Sequence, residues 1–333
     1  KMRFGYLFKI FILILMMFSA VPLLNSAAAA PAQRINYVKI NKLQYVKLDD
    51  VAKYYQMAAT YRGDTITLTR GKVKLIFTVD KRDAKINNSN VILAYAVLKN
   101  SGKYYLSQND FLGTVDPLIR AGAVKYHKID HILIDPGHGG KDKGAVRGSY
   151  VEKDLTLQIA KKLRTKLQQA GYKVSMTRTN DSTLTLNERV AKGERLKADL
   201  VISIHLNTAA NNSVSGIESY SIPAYKTPPS NSNKNMTKKV NGHRNEKNSL
   251  ALAFSLHRAL LSKTNATDRG VKRMNFLVLR ESKIPIVLIE CGFISNRIEA
   301  WRLKTSSYQD KLADGIVKGV KDYKARLLIP KKK

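Results

Sequence analysis

Apolar and polar positions fall into two regimes along this chain. From His131 onward, short apolar runs alternate with stretches of helical period. His131 to Asp135, Tyr172 to Thr177, Leu200 to Ile204 and Pro285 to Ile289 read as strands, and Gly216 to Ile222 as an alternating one. Phe276 to Leu279 reads as a further short strand. Asp154 to Ala170 puts Leu155, Ile159, Leu163 and Leu167 on one helical face and stops at Gly171. Leu186 to Leu196 and Leu250 to Leu261 read as helices, and Tyr308 to Leu328 closes the domain with Leu312, Ile316, Val320 and Tyr323 on one face. This alternation predicts an α/β fold over residues 131–328, a mostly parallel sheet with helices on both faces.

Residues 35–115 follow the other regime, that of a small α+β domain. Tyr37–Ile40, Thr65–Thr69 and Lys74–Val79 read as strands, punctuated by Arg62-Gly63-Asp64, Arg70-Gly71 and Asn87 to Asn90. Tyr45 to Val51 echoes Tyr105 to Phe111, each a strand end passing into a helix start. Residues 116–130 read as a linker. Residues 224–248 are rich in Asn, Ser, Lys and Pro, with Ala224, Tyr225, Met236 and Val240 as scattered apolar positions. They read as a solvated loop able to act as a lid.

The first thirty residues change the picture of where the protein works. Lys1, Arg3 and Lys9 precede the apolar run Ile10 to Phe18, and small residues follow from Ser26 to Ala30. This is the layout of a signal peptide over residues 1–30, and it is shorter than the about 20 apolar residues of a membrane span. The expectation is an exported protein of the periplasm, cell wall or medium, touching membrane only through an uncleaved signal segment. The net charge of +33 is spread along the chain. It fits attraction to anionic wall polymers rather than to nucleic acid, for which no ordered motif is present. The single cysteine, Cys291, allows no internal disulfide.

Candidate chemistry sits at strand ends. His138 follows the first strand in Asp135-Pro-Gly-His-Gly-Gly140, His205 follows the third in Ser203-Ile-His-Leu-Asn207, and Glu290 follows the last in Leu288-Ile-Glu-Cys-Gly-Phe293. Parallel strands bring such ends to one sheet edge, where open α/β sheets bind ligands. Glu152, just before the first helix, belongs to the same edge. Two His and one Glu suit Zn²⁺ with a position left for water. His138, Glu152 and His205 are the expected ligands. Glu290 is the expected carboxylate that takes the water's proton and passes it to the leaving amine.

These stretches carry a family resemblance. Ile134 to Gly140, Glu152 to Asp154, Thr177-Arg178, Leu186 to Arg189, Ser203 to Asn207, Gly216 to Tyr220 and Ile289 to Asn296 resemble, as an ordered set, the zinc-dependent N-acetylmuramoyl-L-alanine amidases typified by division and sporulation amidases. The resemblance spans residues 131–325. It implies peptidoglycan as substrate, the same three ligands, and Glu290 as the catalytic residue. Some relatives carry a self-inhibiting helix where residues 224–248 lie, and four scattered apolar residues do not build one. Residues 35–115 resemble the stalk-like domain related to the N-terminal domain of copper amine oxidases. That implies a structural or wall-binding module without copper.

Plainer readings stand beside these. His127, His131, His243 and His257 read as structural. Glu290 has the alternative of a buried, paired acid, although a carboxylate closing an apolar strand needs a reason. Cys291 alternates to the opposite face and reads as packing. Asn207 either orients substrate or caps a turn. Glu218 and Arg178 read as loop holders, and Ser295 and Asn296 as caps before Arg297. The rival functions are another exported zinc hydrolase, such as a carboxypeptidase, and a non-catalytic wall-binding protein.

Overall fold

The computed structural model describes residues 35–327. The segment read as a signal peptide lies outside them. The N-terminal part comprises β1 (Tyr37–Ile40), β2 (Leu43–Lys47), α1 (Leu48–Tyr55), β3 (Ala58–Arg62), β4 (Thr65–Arg70), β5 (Val73–Thr78), β6 (Asp83–Ile86), β7 (Ser89–Ile92), β8 (Leu98–Asn100) and β9 (Lys103–Ser107). The two echoing segments pair with each other: β2 and β9 run antiparallel with Tyr45 opposite Ser107. Each hands directly into a helix, β2 into α1 and β9 into α2 (Gln108–Asp110), which Ser107 caps. In β4 and β5 the alternating pattern is realised, with Ile66, Leu68, Val73, Leu75 and Phe77 all buried.

The stretch read as a linker starts inside the fold. A π-helical turn (Phe111–Val115) runs straight into α3 (Asp116–Ile119). Leu118, Ile119, Val124 and Ile129 are buried in the same core as residues from both parts of the chain. Their apolar side chains fix this stretch in place.

The second part comprises β10 (His131–Pro136), the hairpin β11 (Val146–Arg147) and β12 (Tyr150–Val151), α4 (Glu152–Gln169), β13 (Lys173–Met176), α5 (Leu186–Arg195), β14 (Leu200–Asn207), β15 (Ile217–Ser221), α6 (Glu246–Thr264), β16 (Asp268–Arg273), α7 (Leu277–Glu281), β17 (Ile286–Phe293), α8 (Arg297–Lys304) and α9 (Ser306–Leu327). Strands β13, β10, β14 and β17 pair in parallel, and β15 pairs antiparallel to β17. Alternate strand residues serve the two faces. Ile132, Ile134, Ile202 and Ile204 join the core under α4, α6 and α9, whereas Leu133, Val201 and Leu288 join a second cluster with Val278 and Leu279 of α7. Within this second part the sheet is therefore mostly parallel, with helices on both faces.

Two stretches differ from the pattern reading. Phe276 to Leu279 does not form a strand; Leu277–Glu281 is the short helix α7. An apolar run this short carries no period that separates the two states, and a helical turn lets Val278 and Leu279 both reach the core. The polar strand β16 gave no apolar signal. It pairs with β15 and, through Val271 opposite Val91, with β7, so the sheet runs on through β7 to β3 as eleven strands.

Helices α6 and α9 meet almost backbone to backbone. A Cβ on Gly319 would stand 2.5 Å from Leu256 Cα. Gly319→Ala gains helix propensity, worth about 1 kcal/mol, but forces the two backbones apart, an overpacking cost of about 1–3 kcal/mol. The clash is with main chain, so we expect the cost to win and the urea midpoint of the variant to fall. A raised midpoint would show that the helix pair has slack.

Candidate active site

The site is built where β10 turns into the loop before α4. His138 has φ +59°, in the left-handed region that non-glycine residues rarely adopt. Such a conformation costs of order 1–3 kcal/mol and persists only where neighbours impose it. Two buried arginines do so through carbonyls. Arg189 donates to Pro136 O and His138 O, each at 2.7 Å, and Arg178 donates to Gly137 O at 2.8 Å and Pro136 O at 3.1 Å. Arg189 is itself anchored on buried Asp135 at 2.7 Å, which also accepts from Thr177 at 2.7 Å and Ser203 at 2.8 Å. Burial works to raise the Asp135 carboxyl, but Arg189 and Thr177 hold it below the usual range. Gly137 has a separate reason. A Cβ there would lie 2.3 Å from the His205 ring.

His138, Glu152 and His205 come together. Their ligand atoms all lie within 4.8 Å of one another. His138 Nε2 and His205 Nδ1 both face Glu152 Oε1 at 3.1 Å. Two further atoms of the group are committed elsewhere: His138 Nδ1 to Asp142 Oδ2 at 2.8 Å, and Glu152 Oε2 to Ala145 N–H at 2.8 Å. A carboxylate on the second imidazole nitrogen fixes tautomer and ring orientation. Burial opposes a charged Glu152, and the two imidazoles override it, keeping the carboxylate ionised far below its ordinary range. Burial also opposes charge on His138, but Glu152 and Asp142 flank the ring and raise its pKa. Two nitrogens and one carboxylate oxygen converging in this way form a donor set that could hold a metal ion.

Glu290 lies beside this group in the sheet. It is the register partner of His205 on one side and of Glu218 on the other, so the three side chains share a face. The two carboxylates differ sharply. Glu218 receives Lys272 at 2.7 Å, Arg269 at 2.9 Å and the Tyr220 hydroxyl, and these overcome burial to lower its pKa. Among the described residues Glu290 has no such partner; its Oε2 is buried and unbonded. Burial, with the charges of Glu152 and Glu218, pushes its carboxyl well above the ordinary range. Adjacent carboxylates driven apart in this way are a mark of acid–base sites.

A cavity of about 470 Å³ opens over these groups, lined also by Leu184, Leu186, Phe276, Leu277 and Leu288. Asn207 is held by Glu218, donating to it at 3.1 Å. Asn296 caps α8 by accepting from Ile298 N–H and Glu299 N–H. His257 is locked between Ser219 and Asp268. The sequence reading missed Asp142, Asp135 and Arg189 as supports. The available signal was Asp142 four residues after His138 in a glycine-rich loop.

Comparison with known proteins follows the same boundaries. The sequence profile of the N-acetylmuramoyl-L-alanine amidase family matches residues 132–322. The chain is 38% identical over 192 residues to the protein YqiI of Bacillus subtilis, covering 58% of this chain and 84% of YqiI. It is 37% identical over 192 residues to the N-acetylmuramoyl-L-alanine amidase LytC of the same organism, covering 58% of this chain but only 35% of LytC. Among solved structures, an N-acetylmuramoyl-L-alanine amidase from Clostridium difficile 630 superposes with TM-score 0.50 at 38% identity, over 59% of this chain and 97% of that one. The matched region begins one residue into β10, ends within α9, and contains His138, Glu152, His205 and Glu290. The chain belongs to the N-acetylmuramoyl-L-alanine amidase family.

Proposed function

We propose that this protein is a peptidoglycan hydrolase cutting the amide bond between N-acetylmuramic acid and L-alanine, with a zinc ion held by His138, Glu152 and His205 and the proton handled by Glu290. The observation that carries this reading is the convergence of two imidazole nitrogens and a carboxylate oxygen beside an unpartnered carboxyl, in a chain of this family.

Zinc bound there supplies Lewis acidity, which lowers the pKa of water and polarises a carbonyl. The rest falls to the chain's own groups. Asp142 holds the His138 ring in the orientation that presents Nε2. Glu290 accepts the proton of the attacking water and delivers it to the nitrogen that leaves. A carboxyl whose environment raises its pKa is suited to both halves of that transfer. Leu184, Leu186, Phe276 and Leu288 wall the cavity with apolar surface and thin out competing water. The bond broken is the lactyl amide. The products are a lactyl carboxylate on the glycan and a free amino group on the stem peptide.

The same reading includes export, since peptidoglycan lies outside the cytoplasmic membrane, and the layout of residues 1–30 supports it. Residues 35–115 are read as the stalk-like module and residues 131–328 as the catalytic domain. No chemistry is assigned to the first, which shares its sheet edge with the second through β7 and β16.

Digestion of purified peptidoglycan tests the function. Glycan with free lactyl carboxylates and intact stem peptides is expected; released single amino acids would point to a carboxypeptidase and overturn it. Glu290→Gln is expected to keep its zinc content and lose about 10²–10⁴-fold in kcat. Full turnover by that variant would remove Glu290 from the chemistry. Asp142→Ala is expected to weaken zinc binding about 10–100-fold, read by competition with a chromophoric chelator. An unchanged zinc affinity would show that the Asp142 contact is incidental.

A further inference from the structure

A groove of about 840 Å³ lies beside α7, lined by residues of segment 229–244 with Arg280 and Glu281. It shares Asn241, Arg280 and Glu281 with a neighbouring depression, which in turn shares Leu277 with the catalytic cavity. One continuous surface thus leads from Glu290 to the polar segment that interrupts the α/β pattern.

The segment is laid down firmly. Arg82 of the N-terminal part donates to Ser232 O at 2.9 Å and Pro229 O at 3.0 Å. The Tyr95 hydroxyl bonds Asn235 at 3.0 Å, and Ser230 N–H donates to Arg273 O at 2.7 Å. The N-terminal part therefore shapes one wall of the groove.

Its charge is one-sided. Lys234, Lys238, Lys239 and Arg244 are exposed, and none of them forms an ion pair among the described residues. The one acid in the lining, Glu281, is taken by Arg280 at 2.8 Å. By contrast, between α4 and α9 Lys162 and Lys166 meet Asp310 and Asp314. Four like charges around one groove repel each other and focus a positive potential into it.

We propose that this groove binds a phosphodiester-linked polyanion of the bacterial wall, holding the enzyme beside the bonds it cuts. The chemistry favours phosphate over the carboxylates of a stem peptide. Most of the lining residues are polar or charged, with Pro229, Met236 and Val240 as the apolar members, and all its unpaired charges are positive. Flexible lysines are point-charge partners for phosphate oxygens and need no fixed geometry. A polymer with one charge per repeat can engage several of them at once. The proposal rests on the wall-hydrolase reading only for the source of the polymer.

The test is binding of the full chain to purified poly(glycerol phosphate), read without turnover. The variant Lys234→Gln/Lys238→Gln/Lys239→Gln/Arg244→Gln is expected to raise Kd by about tenfold or more and to flatten its salt dependence. A control set of exposed lysines, Lys72→Gln/Lys85→Gln/Lys161→Gln/Lys311→Gln, is expected to change Kd by less than about threefold. Equal losses in both sets would reduce the effect to overall charge and overturn the proposal, as would unchanged binding in the groove variant. Cleavage of a soluble muropeptide free of polymer is expected to stay at the parent's kcat/KM. A parallel fall would assign the groove to the stem peptide and overturn the proposal. Binding is measured independently of activity, so failure of the amidase reading leaves this outcome legible.

Discussion

The whole centre depends on keeping one buried carboxylate ionised. Glu152 opens α4, lies 4% exposed, and still holds its negative charge because two imidazoles and two main-chain N–H groups face it. Its two oxygens do different work. Oε2 ties the helix start to the preceding loop at Ala145, and Oε1 draws His138 and His205 together and receives Leu206 N–H from β14. A neutral or displaced residue here would leave the two rings without a common target and would unfasten the helix from the sheet edge.

That arrangement is possible only because the loop after β10 is held in an unfavourable shape. His138 sits at positive φ, and the carbonyls around it are taken by Arg178 and Arg189 rather than by water. Asp135 closes the chain of support, binding Arg189 while accepting from residues that flank β10 on both sides, Thr177 and Ser203. Removing one member of a buried ion pair of this kind typically costs about 3–5 kcal/mol, because its partner is left charged and alone. The strain at His138 and the buried charges beneath it are therefore one device, and the sheet is its foundation.

The parts of this device were unequally legible in the sequence. His138, His205 and Glu290 stood out because each is a polar residue ending an apolar run, and parallel strands put such ends on one edge. Glu152 was legible from its place at the head of a clear amphipathic helix. Arg178 was legible as a loop holder, and it does hold the loop carbonyls, whereas Asp142 and Arg189 were not assigned their supporting contacts, because their partners include main-chain carbonyls and a ring whose orientation only the loop conformation decides. Strand β16 was silent because Asp268-Arg-Gly-Val-Lys-Arg273 is polar, and its place comes from pairing with β15 and β7. The same pairing extends the sheet across the two parts of the chain, which no local pattern encodes. In α7, a run of apolar residues too short to show a period was settled by tertiary packing.

The N-terminal part touches the catalytic region through more than that strand pair. Arg273 donates to Gly113 O at 2.6 Å and Thr114 at 2.9 Å, Asn90 donates twice to Asp268, at 2.8 and 3.0 Å, and Arg82 holds the polar segment. These contacts join the two parts of the chain, and the proposed chemistry rests on the convergence of His138, Glu152 and His205. Anomalous diffraction at the zinc edge from crystals of zinc-loaded full chain tests that claim most directly. The account predicts one strong peak bounded by His138, Glu152 and His205. A peak elsewhere with this position empty would contradict it.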